Sequence, residues 1–167
     1  GELPVRKLQL EVVKLMNEVN KRKALCLIPT SSLAEELREY AHAVNVTLIG
    51  LQLAKKYSIT QIHHKDLALG CLLHDIGKVV QKNNDDHPKA GFEYLRKFRE
   101  ISLLAAHVAY QHHEAYDGSG TPRGLSGEEI HDYAQICSIG NVYDRCLAKK
   151  GMTPHLAMEY RMAKPGT

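Results

Sequence analysis

The feature that most constrains this chain is an ionisable pair set in a hydrophobic run. His74 and Asp75 directly follow Leu67-Ala68-Leu69-Gly70-Cys71-Leu72-Leu73, and Ile76-Gly77-Lys78 come next. A stretch this apolar is buried in a compact fold. Burying a charge without a partner costs on the order of several kcal/mol. A metal ion supplies such a partner, so the rest of the chain is expected to bring further ligands to this pair.

The composition supplies those ligands. Ten histidines occur in 167 residues, and imidazole both binds metal and titrates near neutral pH. A net charge of +3 is too small to point to DNA or RNA, and no Lys/Arg run forms a basic arm. Length and charged content fit one soluble globular domain. Cys26, Cys71, Cys137 and Cys146 form no Cys-x-x-Cys pair, which reads as buried, reduced thiols in a cytoplasmic protein. No apolar stretch is long enough to cross a bilayer. The first residue is Gly1, so an upstream domain is expected before it.

Hydrophobic spacing predicts helices throughout and no strand. Leu3, Leu8, Val12, Leu15, Met16 and Val19 mark an amphipathic helix over residues 3–24. Ser32 to Glu35 fits a capping box opening a second helix that runs to about Tyr57. Its apolar stripe is Leu37, Ala41, Val44, Leu48 and Leu51, with His42 beside it. A third helix carries His74 and Asp75, with Gly77 as its end or kink. Residues 82–86 are a polar loop. Pro88 suits a first helical position, leaving His87 at the cap. Another helix runs from about Glu100 to His113. Asp117-Gly118-Ser119-Gly120-Thr121-Pro122-Arg123-Gly124 must be a loop. Ser126 to Glu129 fits a second capping box, before a helix from about Ile130 to Ala148. Thr153-Pro154 opens a last helical segment. The expected fold is all-α, a bundle of about seven helices in a single domain.

Five histidines, His42, His74, His87, His112 and His113, lie near helix ends or on inward helix faces and are placed to converge. Histidine and carboxylate without cysteine favour iron, manganese, nickel or zinc. Two metals would use about this many ligands, with Asp75 bridging, and would activate a water against a phosphoryl group. Lys78 follows His74 by four residues and could neutralise developing phosphoryl charge, although a solvated helix-end lysine is the plainer reading. His63, His64, His107, His131 and His155 are left as packing or surface residues. Asp144 and Tyr143 lie on the helix after the loop and are equally ordinary helix residues or site contacts.

His74-Asp75 with a preceding histidine and a later acidic helix resembles the HD superfamily of metal-dependent phosphohydrolases. The longer series resembles its HD-GYP subfamily over roughly residues 38–163. It runs His74-Asp75-Ile76-Gly77-Lys78, His87-Pro88 with Gly91, His112-His113-Glu114, Asp117-Gly118-Ser119-Gly120, Pro122, and Gly124-Leu125. The resemblance implies an N-terminal helix and connector over 1–30, linking an upstream sensor or receiver, and a phosphohydrolase domain over 31–167. It implies hydrolysis of cyclic di-GMP or a related cyclic dinucleotide by a hydroxide bridging two metals, most often iron or manganese. By position His42, His74, Asp75, His87, His112 and His113 match the ligands, and Lys78 the lysine at the scissile phosphate. Gly118, Gly120, Thr121 and Asp144 are expected to shape the substrate groove.

Four positions depart from that pattern. Thr121 stands in place of the naming tyrosine. Asn141 replaces the last metal-binding aspartate, and its amide oxygen is a weaker, uncharged ligand. Lys149-Lys150-Gly151-Met152-Thr153 replaces an arginine-rich phosphate segment. Arg38, four residues before His42, argues against a third metal. Two alternatives therefore stand beside the leading reading: a weakened module that binds metal or nucleotide for signalling, and a phosphohydrolase acting on another nucleotide. The sequence leaves the oligomeric state open.

Overall fold

A computed structural model describes residues 2–59, 63–81 and 86–149. Seven α-helices are present among the described residues: α1 (Val5–Lys21), α2 (Glu35–Lys56), α3 (His64–Leu72), α4 (Ile76–Val80), α5 (His87–Leu95), α6 (Leu103–Gln111) and α7 (Asp132–Ala148). Their only β pairing is an isolated antiparallel bridge between Asp117 and Ser126. The all-α expectation holds. Most of the loop expected at 82–86, and the last segment expected from Thr153 with His155, fall outside the described residues.

The architecture is organised around α2 and α3. Leu67, Ala68, Leu69, Gly70 and Cys71 are all buried, so α3 beyond its first turn is apolar all round, as a central helix must be. It is enclosed by α1, α2, α6 and α7. A Cβ at Gly70 would collide with the Val108 side chain, so α3 and α6 pack more closely there than any side chain allows. α1 shows its sequence period directly: Val5, Val12 and Val19, seven residues apart, are buried. They join the core of Leu69, Leu95, Ala105 and Ala109, each valine contributing about 1.5–3 kcal/mol by leaving water. None of the helices is long and apolar enough to cross a membrane.

Several boundaries differ from the sequence expectations, each for a local reason. Ser32 does not cap α2. It lies in a 3-10 turn, its hydroxyl donating to the Pro29 carbonyl at 2.8 Å, and α2 starts at Glu35. Leu37 is exposed rather than part of the stripe. The predicted α6 start moves to Leu103, because Ser102 is the true cap and accepts from the Ala105 amide at 3.1 Å. The Ser126–Glu129 capping box forms, but on a 3-10 turn. α7 begins later at Asp132, where His131 Nδ1 accepts from the Tyr133 amide. Cys71, Cys137 and Cys146 are buried free thiols, whereas Cys26 is exposed.

The most consequential difference concerns His74 and Asp75. They do not continue α3; residues 73–75 form a turn between α3 and α4. Neighbouring side chains on a helix diverge by about 100°, so a continuous helix would have aimed the two apart. Gly77 is no helix end either. It lies inside α4, where a Cβ would collide with the His87 carbonyl oxygen. This contact seats the start of α5 against the turn. α5 accordingly begins at His87, with Asp86 as its cap.

Candidate metal centre

Five imidazoles converge on the turn from four parts of the fold. α2 brings His42, the α3–α4 turn His74, the first residue of α5 His87, and the end of α6 His112 and His113. Ring centroids are 5.4 Å apart for His42–His74, 5.0 Å for His74–His112, 5.4 Å for His87–His112 and 5.0 Å for His87–His113. His74 and His112 are 0% and 1% exposed, and His42 is also buried.

The backbone sets the tautomers. His74 Nδ1–H donates to the Cys71 carbonyl and His112 Nδ1–H to the Ala109 carbonyl, each at 2.7 Å and three residues back. A carbonyl only accepts, so both Nδ1 atoms carry the proton and both Nε2 lone pairs face inward. His87 Nε2 lies 3.4 Å from His112 Nε2 and 3.2 Å from His113 Nε2. Asp75 Oδ1 lies 3.1 Å from His87 Nε2 and 3.5 Å from His112 Nε2. On the other side, Asp75 Oδ2 lies 3.3 Å from His74 Nε2.

Two ligand sets result, sharing Asp75. One is Asp75, His87, His112 and His113; the other is His42, His74 and Asp75. Within each set one ligand atom per residue lies within 4.8 Å of the others. His74 Nε2 and Asp75 Oδ1 are buried without a hydrogen bond. Buried polar atoms are rarely left so, because each costs about 1–3 kcal/mol. Convergent lone pairs and an orphaned carboxylate oxygen are what a divalent cation satisfies, so the residues fit one.

The electrostatics agree. Burial works against a charged Asp75, yet its carboxyl is held below the usual range, with Lys78 Nζ at 2.6 Å and Arg145 Nη2 at 3.0 Å on Oδ2. Burial pushes His112 down to about 3, against the pull of Asp75. Partial burial, with His87 beside it, pushes His113 down to about 4. At neutral pH these two rings are uncharged, the state a metal requires.

Asp144 and Asn45 stand behind His42. Asp144 Oδ2 accepts from His42 Nδ1–H at 2.6 Å, and Asp144 Oδ1 accepts from Asn45 Nδ2 at 2.7 Å. Asn45 also exchanges two 2.8 Å hydrogen bonds with the Ile28 backbone, tying the connector after α1 to this layer. Asp144, expected among the substrate contacts, is thus buried and occupied behind His42. Asn141 Oδ1 lies 2.9 Å from His42 Nε2, which places Asn141 at the second ligand set.

Lys78 does not share a helix with His74. Its Nζ reaches Asp75 Oδ2 at 2.6 Å and Glu39 Oε2 at 3.8 Å, and 41% of the side chain is exposed at the mouth of the site. In the loop, Glu114 is buried and accepts from the Arg123 and Leu125 amides at 2.8 and 2.9 Å. The Thr121 amide donates to the His113 carbonyl at 3.1 Å. A Cβ at Gly120 would collide with the Ala115 and His113 backbone. Gly120 and Thr121 are thereby held against His113. Gly118 turns the chain at φ 80° near the loop base.

Sequence reasoning missed Arg145, whose Nη2 lies 3.0 Å from Asp75 Oδ2, and it missed Asn45 and Glu39. The available signals were spacings of one helical turn: Arg145 is four residues after Asn141, and Asn45 three after His42.

Comparison with known proteins decides the family. The HD domain family model matches residues 40–146. The chain belongs to the HD domain family. A cyclic di-GMP phosphodiesterase, PA4108 of Pseudomonas aeruginosa, is 32% identical, over 63% of this chain and 29% of its own length. The cyclic di-GMP phosphodiesterase response regulator RpfG of Xanthomonas campestris is 30% identical, over 95% of this chain and 48% of its own. A 3'3'-cGAMP-specific phosphodiesterase 2 of Vibrio cholerae is 30% identical, over 66% of this chain and 24% of its own. The chain therefore spans less than half the length of these relatives. Among solved structures, Bd1817, a HDG"Y"P protein from Bdellovibrio bacteriovorus, superposes with a TM-score of 0.74 at 22% identity, covering 95% of this chain and 58% of that one. The likeness to HD-GYP proteins read from the sequence is borne out, and the HD domain accounts for the histidine–aspartate turn.

Proposed function

We propose that this HD domain is a metal-dependent phosphodiesterase of a cyclic dinucleotide, with cyclic di-GMP the first candidate substrate. The observation that carries this is the pair of histidine sets sharing Asp75, orphaned oxygen included. Divalent ions bound there, iron or manganese before zinc or nickel, supply charge that acidifies a water and draws phosphoryl oxygens in. His42, His74, Asp75, His87, His112 and His113 would hold them, with Asn141 the weakest donor. Asp144 serves as a positioning residue that keeps the His42 proton on Nδ1.

The protein's own groups prepare the rest. A cleft of about 630 Å³ opens beside the centre, lined by Thr30, Ser31, Arg38, His42 and Arg145 among others. Lys78, half exposed at the mouth, is placed to meet negative charge gathering on a phosphoryl group. Gly118, Gly120 and Thr121 would form one wall of the groove. The free thiols suit a reducing cytoplasm. The names of the longer relatives, one a response regulator, favour an upstream sensor or receiver domain.

The test is turnover. Protein loaded with manganese or iron is offered cyclic di-GMP and 3'3'-cGAMP, and linear dinucleotide is the expected product. Metal-loaded protein that cleaves neither refutes the reading. A weakened signalling module is the second reading, favoured by the amide of Asn141 and by Arg145 lying on Asp75. It predicts nucleotide binding without cleavage. Cleavage of some other nucleotide in a substrate panel would instead support a different phosphohydrolase.

A further inference from the structure

Asp75 serves its two sides unequally. Oδ1 faces the His87–His112 side and makes no hydrogen bond. Oδ2 faces His74, yet it also receives Lys78 Nζ at 2.6 Å and Arg145 Nη2 at 3.0 Å. Arg145 Nε donates to Asn141 Oδ1 at 3.1 Å, and Nη2 lies 3.5 Å from Glu39 Oε2. One guanidinium thus spans the two oxygens, on Asp75 and Asn141, that flank the His42 and His74 rings.

We propose that the two ligand sets are unequal: Asp75, His87, His112 and His113 form the tight metal site, while the Arg145 guanidinium fills the cation position between Asp75 and Asn141, so a second ion enters only by displacing it. This rests on the reading of the site as a metal centre.

The chemistry favours the guanidinium on that side. Its charge is permanent and its planar fork of donors suits two separated oxygens. A second ion would find two imidazoles, an uncharged amide and one oxygen of a carboxylate that another ion and a lysine already use. The tight side has no such competitor, since three imidazole nitrogens and Oδ1 stand open to one ion. Arg145 is rooted on α7 one turn beyond Asn141 and is 42% exposed, so it can swing into the cleft without disturbing the core.

The experiment counts ions and does not need substrate. The chain is loaded with manganese(II), freed of excess by gel filtration, and examined by elemental analysis and electron paramagnetic resonance. The expected result is one ion per chain with the spectrum of an isolated manganese. R145A is expected to hold two ions with a spin-coupled spectrum. R145Q, which keeps the stem and loses the charge, is expected to bind the second ion roughly tenfold more tightly than the parent chain. Two ions retained by the parent, or one by both variants, overturns the proposal and leaves the metal centre standing. No ion retained by any of the three overturns the metal reading itself, and the proposal with it.

Discussion

Asp144 offers a perturbation whose two simplest forms should part company. In D144A, His42 Nδ1–H and Asn45 Nδ2–H lose acceptors at 2.6 and 2.7 Å inside a buried layer. Each buried donor left unpaired costs about 1–3 kcal/mol, so the pair costs about 4 kcal/mol. That is a large share of the roughly 5–15 kcal/mol that holds a domain folded. D144N keeps the shape. Its oxygen still accepts from Asn45, but its amide now points a donor at His42 Nδ1. The ring answers by moving its proton to Nε2, which then donates to Asn141 Oδ1, 2.9 Å away. Every group is again paired, so the loss should stay below about 1.5 kcal/mol. The His42 nitrogen facing the site, however, no longer has a lone pair to give. Urea denaturation of metal-free protein measures the first effect, and 15N shifts of the imidazole nitrogens read the second. A D144A loss under about 1 kcal/mol, or a D144N ring still protonated at Nδ1, would refute the reasoning.

Three further outcomes are expected. Metal-free protein should lose stability as pH falls from about 6.5 toward 3, because the unfolded chain takes up protons that buried His112 refuses until about pH 3. The slope from this ring approaches about 1.4 kcal/mol per pH unit, and denaturation at stepped pH with chelator present measures it. Asp75 acts in the same direction: its depressed carboxyl contributes stability above the unfolded value that acid removes. G77A should lower the melting temperature by the equivalent of about 2–3 kcal/mol, since its methyl meets the His87 carbonyl and α5 must move; an unchanged melt would refute that contact. K78A should reduce kcat/KM on a cyclic dinucleotide roughly 10- to 100-fold while metal content stays constant. A parallel fall in metal content would mean that Lys78 supports the ligands rather than the phosphate.

Most helices were legible because their apolar periods agree with their packing, while the caps read from the sequence fell a few residues away. Val5, Val12 and Val19 are one example, and α7 is another. The convergent histidines were legible because an ionisable pair beside an apolar run demands partners. The turn at residues 73–75 was not, because Leu67 to Leu73 is a continuous apolar run and neither proline nor a capping residue directly follows it. What ends it is tertiary: the approach of α4 to α5 at Gly77, which in sequence looks like a helix stop. The hydrogen bond from His42 to Asp144 was not legible for a related reason. A carboxylate on a helix is ordinary until the chain 102 residues earlier delivers His42 to it. Arg145 was overlooked because its importance lies in reach, and reach is set by how α7 crosses the turn.

The protons on His74 and His112 are fixed by carbonyls only three residues behind them. Ring orientation there is therefore written into the main chain and does not wait for a cation to impose it. Loading and unloading can then proceed on a finished scaffold, with folding and metal exchange as separate events. The supply of ions around the protein, rather than the history of its folding, would decide which ion it carries.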